Sequence, residues 1–285
     1  MHSPLHATTI IGCLISVGCA HAPRVPADGA EIEQAYVFEL TNTIQTTLLE
    51  LDGSEYATLG DPVDLTWTGQ VRQAPVRRFR DGSQGDRVRF LDVTMRQGDA
   101  PPQPSELSGL SAELRGFQNR EVLAIDLLDE ISGKDRWADL MLSLWPALSP
   151  RIPDLEPGQS GRERSNLPYM LESGMGMPVV LDLDWTLSGP VPCGSASCWQ
   201  LDYHGPVRGR GLDRAERWHA RYRVSGQAQG TLLLAVTDNA IIDSRLELEL
   251  ELLTTFSDPA TQAPRGMVRQ VQHQRAQVLD RPEAP

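Results

Sequence analysis

Any chemistry in this chain would fall to a small set of side chains. Ser160 sits in "GQSGR", His204 in "LDYHGP" beside Asp202 and Tyr203, and Cys193 and Cys198 bracket "GSAS" in "VPCGSASCWQL". A serine hydrolase holds its nucleophile on a sharp strand-to-helix turn with a glycine two residues away on each side. Gly158 stands two residues before Ser160, but Gly161 follows at once, so the elbow spacing is missing. No G-x-x-x-x-G-K-[ST] or G-x-G-x-x-G string cradles a phosphate, and "GMGMP" from Gly174 leads into a strand-like run rather than a helix. Catalysis is therefore not the expectation, and no cofactor is implied. An envelope hydrolase whose site is assembled from the dispersed Asp202, His204 and Ser160 is the alternative.

Cys193 and Cys198 flank a four-residue loop between two strand-like runs, a spacing that suits a disulfide closing a tight hairpin in an oxidising compartment. Free thiols are the second reading. A metal site is the third, with His204 and His219 as the nearest further ligands, although their spacing is not that of a zinc site. A loop this short constrains the unfolded chain by about 2 kcal/mol, so the bond would chiefly stiffen the hairpin.

The remaining cysteines, Cys13 and Cys19, lie in the opening stretch "IIGCLISVGCA". Its apolar run from Ala7 to Gly18 is shorter than the roughly 20 residues that span a bilayer, but suits a signal-peptide core. It ends in Ile15-Ser16-Val17-Gly18-Cys19, which resembles the lipobox of bacterial lipoproteins, where small residues precede a cysteine that is acylated after cleavage. Ser16 stands where leucine is usual, and His2 and His6 stand where Lys or Arg is customary. The resemblance implies that Cys19 is the lipid-bearing N-terminus, with ordinary secretion as the alternative. Each buried CH₂ contributes about 0.8 kcal/mol, so acyl chains hold a soluble domain at a bilayer without a spanning helix. Pro23, Pro26 and Gly29 in "AHAPRVPADGAEIEQ" then read as an extended tether.

The net charge is −12, with a pI near 4.9, and none of it lies in Met1 to Gly18. Such a surface repels phosphate backbones, so nucleic acid is not an expected partner.

The elements that would position these residues read as β-strands. In "RLELELELL", Leu246, Leu248, Leu250 and Leu252 alternate with Glu247, Glu249 and Glu251, a period of two that sends leucines to one face and carboxylates to the other. "WHARYRV" sets Ala220, Tyr222 and Val224 against His219, Arg221 and Arg223 in the same way. If the two strands are neighbours, the Arg and Glu rows would pair across them, at about 0.2 to 1 kcal/mol per pair. "GTLLLAVTDNAIIDSRLELEL" reads as a hairpin around Thr237-Asp238-Asn239, and "SAELRGFQNREVLAIDLLDEIS" as another around Phe117 to Arg120. "VDLTWTGQV" and "LDLDWTLSGPV" share Asp-Leu-x-Trp-Thr, with Trp67 and Trp185 in matching places. Together these echoes point to a duplication over Ala35–Ser132 and Pro168–Phe256, with convergent strand patterning as the alternative. Between the halves, "SGKDRWADLMLSLWPALSP" spaces Trp137, Leu140, Met141, Leu144 and Trp145 as a helix covering a sheet would. The tail "APRGMVRQVQHQRAQVLDRPEAP" reads as a last strand, since Val268, Ala276 and Val278 share parity.

This layout is similar to a loosely defined group of bacterial envelope lipoproteins of unknown function. The likeness is carried by the lipobox-like Cys19, the Pro-rich tether, the mid-chain helix leading into "LSPRIPDLEPGQS", and the late hairpin. Pro153, Pro157 and Gly158 match a proline-glycine segment common in that group, without its following Trp. The resemblance implies a β-rich envelope domain and no catalytic residues. The expected organisation is a signal peptide over 1–18, a tether over 19–34 and a β-rich first half over 35–132. A helix and Pro/Gly-rich connection over 133–168, a β-rich second half over 169–256 and a C-terminal segment over 257–285 follow. The expected fold is mainly β, with antiparallel curved sheets and one helix between two halves. The expected role is non-catalytic: a protein at the periplasmic or cell surface that binds an apolar ligand or an envelope protein, or serves as a scaffold. Trp67, Trp137, Trp145 and Trp185 would line the hollow.

Overall fold

The computed structural model describes residues 34–78, 84–116, 122–127, 155–170, 176–194, 196–214, 218–237 and 240–280. The first half of the chain supplies β1 (Gln34–Leu49), β2 (Glu55–Thr58), β3 (Val63–Arg78), β4 (Gln84–Gln97), β5 (Gln103–Pro104), β6 (Ser111–Gly116) and β7 (Val122–Leu127). The second half supplies β8 (Ser160–Met170), β9 (Gly176–Cys193), β10 (Ala196–Arg214), β11 (His219–Ala235), β12 (Ile241–Ser257) and β13 (Pro264–Asp280).

All belong to one antiparallel, curved and unclosed sheet, in the order β7-β6-β4-β3-β1-β13-β12-β11-β10-β9-β8. The chain starts at the middle of the sheet with β1 and meanders outward to the edge strand β7. It resumes at the opposite edge with β8 and meanders back until β13 pairs with β1. β2 pairs with β1 beyond the end of β3, and β5 pairs with β4. The last strand in sequence is therefore central in space, which explains why the tail alternates like a core strand.

Alternation decides which face each side chain takes. On β12 the leucines at 246, 248, 250 and 252 are buried while Glu249 and Glu251 are exposed. Tyr36, Phe38 and Leu40 on β1 and Ala276 and Val278 on β13 point the same way, and the inward residues of both wings merge into one apolar cluster. Burial of that face is the main driving force for the sheet.

Strands of up to 19 residues, about 60 Å long, must bend to shape such a sheet, and glycines mark where neighbours press closest. A Cβ at Gly230 on β11 would collide with the Arg245 carbonyl of β12 and with the Tyr203 ring of β10. Gly205 and Gly226 meet the carbonyls of Asp182 and Glu249 in the same manner. Gly230 lets Tyr203 cross β11 and donate a hydrogen bond to the Arg245 carbonyl at 3.0 Å, so one side chain ties three strands. In the other wing, Gly69 lies opposite Phe38. A Cβ there would stand 3.1 Å from the Phe38 ring, which instead meets Phe90 edge-on across β3 at 5.6 Å.

Both hairpins form: β6 pairs with β7, and β11 with β12. Trp67 and Trp185 both point into the buried face, on strands that share the Asp-Leu-x-Trp-Thr pattern. The helix expected over Ser132 to Pro146, with Trp137 and Trp145, lies outside the described residues, among which there is no helix. One expectation is corrected. β11 and β12 are neighbours, yet their register sets Arg221 opposite Thr255 and Arg223 opposite Leu253, while the glutamates face Gln229, Gln227 and Ser225. Alternation brings both rows to one face, and the register then slides them past each other.

Candidate functional site

The buried face is not uniformly apolar. On β13 the inward positions include Gln270, Gln272 and Gln274 in succession, and β1 sets Asn42 opposite Gln274. Asn42 and Gln274 are 1% exposed and Gln272 is 7% exposed, with Leu248 and Leu250 across β12 on the other side. Gln270 donates a long hydrogen bond of 3.5 Å to Thr46 Oγ1. Among the described residues Asn42 Oδ1 and Gln272 Nε2 are buried without a hydrogen-bond partner. The two residues are diagonal neighbours across the β1–β13 ladder, about 7 Å apart. The seam thus offers an acceptor and a donor beside Gln274, with the leucines of β12 alongside. Buried polar atoms in native proteins nearly always have partners, so each orphan calls for a reason.

The signal for this seam was present in the sequence. In "VRQVQHQRA" the glutamines at 270, 272 and 274 recur at even spacing, and parity with Val268 and Ala276 already puts them on the buried side. Asn42 likewise continues the parity of Tyr36, Phe38 and Leu40.

The dispersed catalytic candidates lie on the opposite, outer face. Ser160 on β8 stands across from Thr186 on β9, which stands across from Asp202 on β10. Ser160 Oγ is 3.2 Å from Thr186 Oγ1, while Asp202 accepts hydrogen bonds from Thr231 Oγ1 at 2.8 Å and Gln200 Nε2 at 2.9 Å. His204 lies one level further along β10, opposite Asp184 and Gln229. Among the described residues neither a Ser–His nor a His–Asp hydrogen bond forms, so the structure shares a face among the three without bringing them together. Tyr203, beside them in sequence, points inward, stacks on Trp185 at 4.5 Å, and has its phenol pushed upward by burial.

Cys193 and Cys198 form a disulfide, with Cα atoms 5.8 Å apart, across the β9–β10 hairpin. This uses both thiols that a metal site would have needed. His219 instead sits at the start of β11 with Nδ1 3.1 Å from Gln262 Nε2, and no cluster of three or more metal-binding side chains occurs among the described residues. Trp67 and Trp185 belong to the same apolar cluster but to opposite wings, with β1, β13, β12, β11 and β10 between their strands. Trp185 Nε1 is buried without a hydrogen-bond partner among the described residues. Cys19 lies outside the described residues.

The outer face divides by charge. Glu247 meets Arg275 at 3.2 Å and Glu249 meets His273 at 3.8 Å, both between β12 and β13. At the far edge Arg162 donates to Asp182 at 2.6 Å and holds that carboxyl below its ordinary range. No protein-family profile matches the chain, and no curated protein matches it in sequence.

Proposed function

We propose that this chain is a membrane-anchored envelope lipoprotein whose β-sheet domain binds an amphiphile along its inner face and performs no catalysis. The anchor rests on the short apolar leader ending in Val17-Gly18-Cys19 and on the proline-bearing tether. The Cys193–Cys198 disulfide accords with a location at the periplasmic or cell surface. The binding role rests on one observation: among the described residues Asn42 Oδ1 and Gln272 Nε2 stay unsatisfied in a buried polar seam flanked by the leucines of β12. Each such atom costs about 1–3 kcal/mol when left unpaired. A hydroxyl group carried by an apolar chain would donate to Asn42 Oδ1, accept from Gln272 Nε2 and leave its hydrocarbon against the leucines of β12.

The experiment is organic extraction and mass spectrometry of the protein purified from its native membrane, beside an Asn42→Leu/Gln272→Leu variant. A stoichiometric amphiphile should leave with the wild type and be missing from the variant. Absence from the wild type, or equal loading of both, would overturn the binding role. The anchor is tested separately: Cys19→Ala should move the protein from the detergent phase to the aqueous phase, and unchanged partitioning sinks it.

A further inference from the structure

The outer face of β10 and β11 carries a row of arginines that form no ion pair with an acidic side chain among the described residues. Arg208, Arg210 and Arg214 on β10 and Arg221 and Arg223 on β11 are all exposed. The register sets Arg210 directly opposite Arg223, Arg221 opposite Leu212, Arg214 opposite His219 and Arg208 opposite Ser225. These are four successive outward levels, about 20 Å of cationic ribbon. Among the described residues no ion pair or side-chain hydrogen bond engages Arg210, Arg214, Arg221 or Arg223. Arg208 acts on Asp182 only at a distance. Directly opposed like charges destabilise a strand pair, so the Arg210–Arg223 level weakens the fold unless an anion sits over it. The next level exposes Leu212, 41% accessible, with Arg210 and Arg214 two residues away on each side.

We propose that this ribbon docks onto an anionic phospholipid bilayer, with the guanidinium groups on headgroup phosphates and Leu212 entering the interface between them. Charge complementarity selects the partner's sign: the chain as a whole carries −12, so repulsion elsewhere leaves this face to meet a negative surface. Leu212 selects a lipid over a soluble polyanion, because an apolar side chain among cations gains nothing from a fully hydrated phosphate polymer. Arginine suits the role, since its planar fork binds phosphate oxygens in pairs. The docking does not depend on acylation of Cys19.

The test is vesicle co-sedimentation of the full chain, with every sample carrying Cys19→Ala so that no acyl chain contributes. Binding should be stronger to equimolar phosphatidylglycerol and phosphatidylcholine than to phosphatidylcholine alone, and should weaken with salt. Arg210→Glu/Arg223→Glu should bind the anionic vesicles about 25-fold less or weaker still, while its circular dichroism stays that of the wild type. Arg162→Glu/Arg275→Glu changes the net charge equally at ion-paired positions and should bind within about twofold of the wild type. Leu212→Ser should lose several-fold. Equal binding to the two vesicle types, or wild-type binding by the ribbon variant, would overturn the proposal. So would tight capture of a DNA oligonucleotide without vesicle binding.

Discussion

Two neighbouring ribbons of the same sheet use the same alternation and reach opposite electrostatic ends. On β12 and β13 two outward carboxylates meet outward basic side chains across the ladder, Glu247 with Arg275 and Glu249 with the His273 ring. On β10 and β11 the outward positions stack arginine against arginine, with Arg210 opposite Arg223. β11 borders β12, and the Arg and Glu rows would cancel if the register moved them together, but Arg223 faces Leu253 and Glu249 faces Gln227. A period of two chooses the face a side chain takes, and only the register chooses what it meets there. The β12–β13 ribbon matches Glu247 and Glu249 within the sheet, whereas the β10–β11 ribbon sets like charge against like.

The largest effect should come from breaking the device that holds that register. Tyr203 reaches from β10 over Gly230 on β11 to the Arg245 carbonyl on β12, so it spans the junction between the two ribbons. Gly230→Val would place branched carbons where the Tyr203 ring lies and also press on the Arg245 carbonyl. Overpacking together with loss of that hydrogen bond should cost about 3 kcal/mol or more. Urea denaturation would show the drop in midpoint, and Tyr203→Phe, which removes only the hydroxyl, should lose about 1 kcal/mol. A Gly230→Val protein as stable as the wild type would mean that the junction is not closely packed.

This junction also marks where sequence reasoning stops. The face of every residue on β12 is legible from "LELELEL", because one strand carries its own parity. The Cys193–Cys198 bond is legible from spacing, because both ends lie in one hairpin. The inward glutamines of β13 are legible once the tail is taken as a strand, and Asn42 follows from the parity of β1. The Arg–Glu mismatch between β11 and β12 is not legible, since two alternating strands are compatible with several registers of equal pattern. Nor is the role of Gly230: the collision that requires a glycine comes from Tyr203 and Arg245, on two other strands. The pairing of β13 with β1 was hidden for the same reason, since contacts between the two ends of a chain leave no local mark.

A smaller effect, with a sign that separates the ribbons, should follow from exchanging single charges. Arg223→Glu would turn the Arg210–Arg223 level from like to opposite charge and should stabilise the fold by about 0.5 kcal/mol. Glu247→Arg would set two arginines at the Glu247–Arg275 level and should destabilise by a similar amount. The same class of change thus moves stability in opposite directions on two adjacent strand pairs. Parallel thermal melts at low salt, where surface charges are least screened, are the measurement. If both variants shift the same way, cross-strand charge does not distinguish the ribbons.

The smallest effect concerns acid. Arginines do not titrate in the accessible range, so the β10–β11 ribbon keeps its charge at every pH, while the carboxylates around it do not. Asp182, on β9 beside that ribbon, is held below its ordinary range first by the hydrogen bond from Arg162, against some desolvation, and then by the charges of Arg162, Arg164 and Arg208. Its folded pKa lies below the unfolded one, so the stability it contributes is fully present above the unfolded value. That contribution is lost as pH falls from about 4 through the folded value. Asp182→Asn should therefore melt slightly below the wild type at pH 7, and the two curves should converge as the pH drops under about 4. Melting temperatures of both proteins from pH 7 to pH 2 would show this. A gap that persists at the acid end would assign the contact with Arg162 to hydrogen-bond geometry that asparagine cannot reproduce, rather than to charge. Convergence would assign that contact to charge, as the Arg162 hydrogen bond and the neighbouring guanidinium groups require.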